Sequence, residues 1–406
     1  MYPIKFWEVA VRYFGINTTE PAAVSNQLLT KENNAKLLFN IVSRQGSISR
    51  AALAKVSGLS PSTVSVLTEE LINKHILLEA GIGESAPTGR KPIMLQVDPE
   101  GLQIPCFAFR PNGLQYVLYD LKFDCIESRL IPYGPELERK NAGFITPSNE
   151  AILKLFSQLR NESKMLDMNK VRLITVSFYG TFLRDSSMYT SSILGWYLNS
   201  SFIDSLRELL DNKPLLVGNI ANLLAYAEKS TNCADRENLL YIHLDYGVGS
   251  GLILNNRPIT GECGIAGEIG QMIIGGKRLE NIASVDAITQ LLRENTGITD
   301  LKATGEALML GDVHTTDVLR SVASDIAASI NNVLCMLGSM NVFIGGDVAT
   351  SLGPVFFDLL RSAIQQFGYR RVLPHSPIHM SCLPEHGDCL GAARAYVDNV
   401  FTVILP

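Results

Sequence analysis

The sequence predicts an α/β chain in which a small, mostly helical module precedes a large region of alternating strands and helices. Three observations carry this. Between residues 33 and 73, apolar residues recur at helical spacing in three runs separated by Gly46 and Gly58. Two strand-like runs then flank a loop that ends in Thr88-Gly89-Arg90-Lys91-Pro92. From Gly101 onward, apolar strand-like runs alternate with helical stretches and glycine turns, the pattern of an α/β architecture.

Composition bounds the function. The chain has 406 residues, 46% hydrophobic and 18% charged, an ordinary globular balance with room for two or three domains. It holds no run of eighteen uncharged apolar residues, so no membrane-spanning helix and no membrane insertion are expected. Lys5, Glu8 and Arg12 interrupt the apolar start, which does not read as a secretory signal. Seven scattered cysteines with no CxxC pair argue against a disulfide framework and fit a reducing, cytoplasmic setting. The net charge of −5 does not announce a nucleic-acid binder. Locally, Lys31–Glu100 carries eight Lys and Arg against seven Asp and Glu, net +1, a small asymmetry that decides nothing alone.

In the first module, Leu37, Leu38, Ile41 and Val42 give Asn33–Gln45 one apolar face, and Gly46 ends that helix. A second helix runs over Ser49–Val56 and stops at Gly58. Ser60 is a good N-cap and Pro61 suits the first helical position, so a third helix runs to Asn73 with Val64, Leu67, Leu71 and Ile72 inward. Helix, glycine turn, and a helix with a small hydroxylated first turn make a helix-turn-helix pattern. Small hydrogen-bonding side chains suit an element that must approach base edges. Ile76–Glu79 and Ile93–Val97 read as strands of a wing whose tip is a narrow cationic finger, suited to the negative potential of a minor groove. The DNA-contact candidates are Arg50, Ser60, Ser62, Thr63, Ser65, Gly89, Arg90 and Lys91. The third helix has no Arg or Lys before Lys74, so dimerisation would have to supply much of the affinity for an operator. The competing reading is a protein-interaction module with an ordinary basic loop. Residues Met1–Thr30 hold Phe6, Trp7, Val11 and Phe14, which suggest an amphipathic helix.

Asp98-Pro99-Glu100-Gly101 is a turn-rich boundary, so residues 1–98 and 99–406 are expected to be separate domains. Beyond it, Cys106–Phe109 and Leu114–Asp120 read as a strand hairpin, Glu150–Asn161 as a helix and Val171–Phe178 as a strand. Phe202–Leu210 reads as a helix, Leu215–Val217 as a strand, Ile220–Lys229 as a helix and Leu239–Leu244 as a strand. Tyr246–Gly251 reads as a glycine turn into strand Leu252–Leu254. Thr316–Met336 reads as a long helix and Asn341–Ile344 as a strand before Gly345-Gly346.

Several segments resemble the ROK family of repressors, uncharacterised reading frames and kinases. They are the winged helix-turn-helix with its Gly-Arg-Lys-Pro tip, Ser177–Gly180, Leu194-Gly195-Trp196, Asn219–Glu228, Gly247–Gly251, Gly264–Gly270, Ile344-Gly345-Gly346 and Gly391–Ala393, from about Asn33 to Ala395. The resemblance implies an actin-like, ribonuclease-H-like fold of two α/β lobes preceded by the winged helix. It implies sugar kinases, or sugar-responsive transcription factors that act as homodimers or higher oligomers.

Phosphoryl transfer needs a base for the attacking hydroxyl and donors for the phosphates. The resemblance places the family's Asn-Asp base pair at Asn219-Ile220, and isoleucine accepts no proton. It places the first phosphate loop at Phe109–Gly113, with no Asp, and the second at Asp245-Tyr246, which brings negative charge and bulk. The family's zinc His becomes Gln271, and its cysteine run becomes Gly275–Glu280 without a thiolate, so neither zinc nor another cofactor is expected. A sugar pocket is implied at Asn219, Glu268, Gln271 and Glu280, with the backbone at Gly180 as one wall. Paired carboxylates suit vicinal hydroxyls, whereas the plainer reading makes Glu268 a helix cap and Glu280 a solvated turn residue. His375, His379, Cys382, His386 and Cys389 have metal-like types and spacing, but need not converge. The expectation is a non-enzymatic regulator, most simply a repressor, of carbohydrate metabolism or transport. The alternatives are an active carbohydrate kinase or a protein-docking module.

Overall fold

A computed structural model describes residues 11–13, 26–82, 91–133, 149–183, 188–191, 196–198, 200–261 and 264–404. The chain forms two compact units. The first comprises Met1–Phe178, Leu198–Gly218 and Ala392–Pro406, and the second comprises Tyr179–Tyr197 and Asn219–Gly391.

The first unit begins with the predicted three helices. Asn26–Gln45 starts a turn and more before its expected position and buries Ala35, Leu38, Phe39 and Val42. Arg50–Ser57 is capped by Ser49, whose hydroxyl accepts from Ala52 N at 3.3 Å. It ends at Gly58, whose φ of 72° lets its N–H reach Ala54 O at 3.0 Å. Pro61–Asn73 has Pro61 at its first position, and Ser60 Oγ accepts from Thr63 N at 3.1 Å. Val64, Leu67 and Leu71 form its buried face. Against the helices lies a three-stranded antiparallel sheet, ordered Ile48–Ser49, Ile93–Val97, Leu77–Ile82. The last two are the wing strands, and the first of them runs three residues beyond its predicted end at Glu79.

The rest of the first unit is a six-stranded sheet in the order Val11–Tyr13, Leu215–Asn219, Ile174–Phe178, Ile104–Arg110, Gly113–Tyr119, Cys125–Pro132. The central strands Ile104–Arg110 and Ile174–Phe178 are buried along almost their whole length and mostly apolar, as strands covered on both faces are. Phe107 and Phe109 meet Phe156 of helix Asn149–Glu162 at ring separations of 4.7 and 5.9 Å. The amphipathic helix expected near the N-terminus is corrected at Val11–Tyr13. These residues form a strand parallel to Leu215–Val217, because an open sheet edge offers backbone partners there. Phe6, Trp7 and Phe14 lie outside the described residues. The last helix, Gly387–Ile404, carries Phe401 to 5.9 Å from Phe39, and Asp398 to 3.2 Å from Lys36 Nζ.

The second unit is built on a five-stranded sheet ordered Arg257–Ile259, Val248–Leu254, Leu239–Leu244, Asn341–Gly345, Ile378–Met380. Its apolar face is covered by helices Val313–Leu337 and Asp347–Phe367, which bury Ile326, Ile330, Leu334, Phe356 and Leu360 against Ile242 and Ile344. Helix Ile220–Thr231 packs on Leu239–Leu244 and Val248–Leu254. The predicted glycine turn is corrected here. Strand begins at Val248, directly opposite Leu244, so the turn is only Asp245-Tyr246-Gly247. Gly249 and Gly251 are strand residues. A Cβ on Gly251 would collide with Ala221 O and with Ala225 Cβ, so glycine is required for the helix to approach the strand.

Candidate functional site

A cavity of about 170 Å³ opens in the second unit, on the side of the sheet that holds helix Ile220–Thr231. Gly180 and Thr181, the first turn of that helix, the strand from Val248 to Ser250, and the segment Gly264–Gln271 line it, with Glu280 at one edge. All five residues implied for sugar contact, Gly180, Asn219, Glu268, Gln271 and Glu280, line this one cavity.

Each is held by local structure. Asn219 ends a strand and caps the following helix, its Oδ1 accepting from Ala221 N at 2.8 Å and Asn222 N at 3.3 Å. Its Nδ2 donates to Gly180 O at 2.7 Å. An amide has two acceptor lone pairs and two donors, so one N–H is left for a ligand. Glu268 follows Gly267, whose φ of 91° and close approach to Ser250 O exclude a side chain. Ser250 fixes this segment twice, its N and Oγ both donating to Gly267 O, at 3.0 and 2.7 Å. Glu268 makes no helix-capping bond. Its carboxylate accepts from Thr181 Oγ1 at 2.9 Å and faces the cavity. Packing on its protein side pushes the carboxyl above the usual range, and the negative charge of Glu280 adds to this. Glu280 begins the short helix Glu280–Ala283, is half-buried, and accepts from Val248 N at 3.4 Å. Gln271 is exposed at the rim.

Ile220 stands in the cavity wall, 5% exposed and apolar. The turn Asp245-Tyr246-Gly247, where the resemblance implies a second phosphate loop, is closed by its own carboxylate. Asp245 is buried, and its Oδ1 accepts from Tyr246 N at 2.7 Å. Its Oδ2 accepts from Tyr179 OH at 3.3 Å and lies 3.3 Å from His243 Nε2. Burial opposes the charge, but these partners more than offset it and hold the carboxyl below the usual range. Asp347, at the start of its helix, is pushed up by burial and by the charge of Asp245. The stretch Phe109–Gly113 is a hairpin in which Arg110 faces Gly113 across Pro111-Asn112.

Where the resemblance implies a thiolate run, Ile273-Ile274 and Lys277-Arg278 pair through Gly275-Gly276, both at positive φ, as a two-residue hairpin. Among the described residues no three His, Cys, Asp or Glu side chains gather as a metal site. In the His375–Cys389 group, His379 stacks on Phe343 at 5.0 Å while Cys389 is buried in the last helix.

In the helical module, Ser62 and Ser65 are exposed on the third helix, and Val66 beside them is 64% exposed. Ser60 is occupied as the cap and shares hydrogen bonds with the Ser62 and Thr63 hydroxyls, both at 2.8 Å. Arg50 is turned inward: Nε donates to Thr68 Oγ1 at 3.1 Å, and Nη1 pairs with Glu79 Oε1 at 2.9 Å. Lys91 is exposed, and Gly89 and Arg90 lie outside the described residues. Sequence reasoning did not single out Thr181, Tyr179 or His243. The one available signal was a histidine within the otherwise apolar strand Leu239–Leu244.

Among the described residues no helix is long and apolar enough to cross a membrane. Comparison with known proteins agrees with the geometry. The xylose repressor of Bacillus subtilis is 24% identical over 396 residues, 94% of this chain and 99% of that protein. The crystal structure of a ROK family transcriptional regulator, a homologue of the Escherichia coli Mlc protein, superposes with a TM-score of 0.76 at 21% identity, covering 93% of this chain and 99% of that one. A ROK family glucokinase from Streptomyces griseus, solved with glucose and AMPPNP, superposes with a TM-score of 0.58 at 18% identity, covering 72% of this chain and 98% of that one. The sequence model of the ROK family matches residues 146–397, more than half of the length, and the chain belongs to the ROK family.

Proposed function

We propose that this protein is a DNA-binding transcriptional repressor of carbohydrate metabolism or transport, working in the cytoplasm as a homodimer or higher oligomer. Residues 1–98 bind the operator, and residues 99–406 sense a sugar and dimerise. The observation that carries the reading is the composition of one cavity. It keeps Asn219, Glu268 and Glu280 in its lining, but has Ile220 in the implied place of the base, and the adjoining turn carries Asp245 where the resemblance implies a phosphate loop. A side chain without a lone pair cannot take a proton from a hydroxyl. Such a site binds without phosphorylating, and the protein's output passes to its other module.

In that module Ser62, Ser65 and Val66 form the reading surface. The serine hydroxyls suit base edges and the valine suits a thymine methyl group. Ser60, Thr63 and Arg50 act by holding the helix in place, and Gly89, Arg90 and Lys91 serve the wing. A dimer reads two half-sites about 34 Å apart. The sugar shifts the repressor only by binding one of its conformers better than the other. An electrophoretic shift assay with the chain's own promoter region tests this. A shift at low salt that the sugar weakens or strengthens supports it. No shift at low salt, or sugar-dependent ATP turnover by the purified protein, overturns it.

A further inference from the structure

We infer that the cavity selects against negative charge: its ligand is an uncharged polyhydroxylated ring, and the phosphate ester of the same sugar is excluded. The inference rests on the proposed sensing role and narrows its ligand class.

The described lining holds two carboxylates, Glu268 and Glu280, and neither Lys nor Arg. Its two ionisable rings both turn to Asp245: Tyr179 OH donates to Oδ2 at 3.3 Å, and His243 Nε2 lies 3.3 Å from the same oxygen. Four backbone donors at or beside the cavity already serve groups of this chain. The first turn of helix Ile220–Thr231 faces the cavity, and a free helix N-terminus attracts anions. Here the N–H groups of Ala221 and Asn222 are both taken by Asn219 Oδ1. At the glycine turn, Tyr246 N is taken by Asp245 and Val248 N by Glu280. A phosphate would therefore meet carboxylates where it needs donors.

The same inventory favours hydroxyls. Two carboxylates accept from O–H groups, the second N–H of Asn219 donates, and the buried Nδ1 of His243 has no hydrogen-bond partner among the described residues. Ile220 and Val248 offer apolar contact for ring C–H groups.

At an effective dielectric near 20, one added negative charge about 6 Å from one carboxylate weakens binding roughly a hundredfold. Isothermal titration of the full chain with D-xylose, D-glucose and N-acetylmannosamine, each against its own terminal phosphate ester, reads this directly. The expected result is binding of at least one parent sugar, with its ester about a hundredfold weaker or worse. In Glu280→Gln and in Glu268→Gln that ratio falls by about tenfold or more, because the charge is lost while size is kept. An ester that binds as tightly as its parent overturns the inference and leaves sugar sensing standing. A ratio unchanged in both variants also overturns it, since the carboxylates would not be its cause. Failure of all three sugars in both forms overturns the sensing reading and the inference with it.

Discussion

Asn219 is the residue on which the cavity's geometry turns, and replacing it separates two jobs that its side chain does at once. Oδ1 caps helix Ile220–Thr231 through Ala221 N and Asn222 N, and Nδ2 ties the helix to Gly180 O at 2.7 Å. Aspartate is as good an N-cap as asparagine and suits the helix dipole, so Asn219→Asp keeps the first job. It cannot do the second, and it sets a carboxylate against the Gly180 carbonyl. An unmade hydrogen bond at a part-buried site costs about 1–2 kcal/mol. Asn219→Ala keeps neither job and adds about 1 kcal/mol for the lost cap. The second unit, Tyr179–Tyr197 with Asn219–Gly391, has the size at which 1 kcal/mol moves a melting temperature by roughly 2–4 °C. Asn219→Asp is therefore expected to melt about 2–8 °C below the parent protein, and Asn219→Ala lower still. Calorimetry of the three proteins measures this. An Asn219→Asp protein that melts with the parent would refute the reasoning, because the Gly180 tie would then contribute nothing. Asn219→Asp is also expected to lose sugar affinity, since the one donor left for a ligand disappears with the amide.

Three further outcomes can be checked. Arg50→Ala removes two partly exposed bonds, to Thr68 and Glu79, and should lower the stability of the helical module by about 1 kcal/mol while weakening every DNA sequence alike; unchanged stability with a shallower salt dependence would make Arg50 a direct phosphate contact instead. Lys91→Ala should reduce the slope of log affinity against log salt by about 0.9, on operator and unrelated DNA equally, as measured by titration at several ionic strengths. The pH dependence follows from Glu268. Burial, with Glu280 beside it, raises its folded-state pKa above the unfolded value, so the folded protein holds this proton more tightly. Its stability contribution is thus present at low pH and is lost as pH rises through the raised value. Sugar affinity runs the other way, falling as acid protonates the acceptor at a pH above that of an ordinary glutamate. Titration from pH 8 to 4 should show this in the parent protein and not in Glu268→Gln.

What was legible in the sequence was local. Period 3.6, the Ser60-Pro61 start and the Gly58 stop placed the second and third helices to within a residue, because caps and turns are chemistry between near neighbours. Strand Leu239–Leu244 was legible from its unbroken apolar run. What failed was non-local. Gly247–Gly251 looked like a loop because glycine usually marks one. Its last two glycines are there because helix Ile220–Thr231 lies against the strand, a contact that local periodicity does not contain. Val11–Tyr13 became a strand because its partner, Leu215–Val217, is two hundred residues away. The partners of Arg50, a candidate DNA contact, were equally hidden: Thr68 and Glu79, distant in sequence, bond its guanidinium. The site was legible only through family resemblance. Asn219, Glu268 and Glu280 have no common spacing that would mark them, and Tyr179, His243 and Asp245 meet only once the strands are paired.

On the proposed reading, the departures from a kinase in and beside the cavity are coupled rather than independent. Removing the base alone would leave a site that still binds a nucleotide's phosphates. Adding Asp245 alone would leave a buried carboxylate in need of partners, and an unpaired buried charge is costly. Tyr179, His243 and the Tyr246 N–H supply those partners, so the acidic turn is a satisfied network with its own hydrogen bonds. Glu280 meanwhile receives the Val248 N–H at the far side of the same turn. Reverting Ile220 to a carboxylate would consequently add a third negative group beside Glu268 and Glu280 without freeing a single phosphate donor. The turn holds its shape through Asp245 within it and Glu280 beside it, and on the inference drawn above Glu280, with Glu268, sets the charge of the ligand the cavity admits.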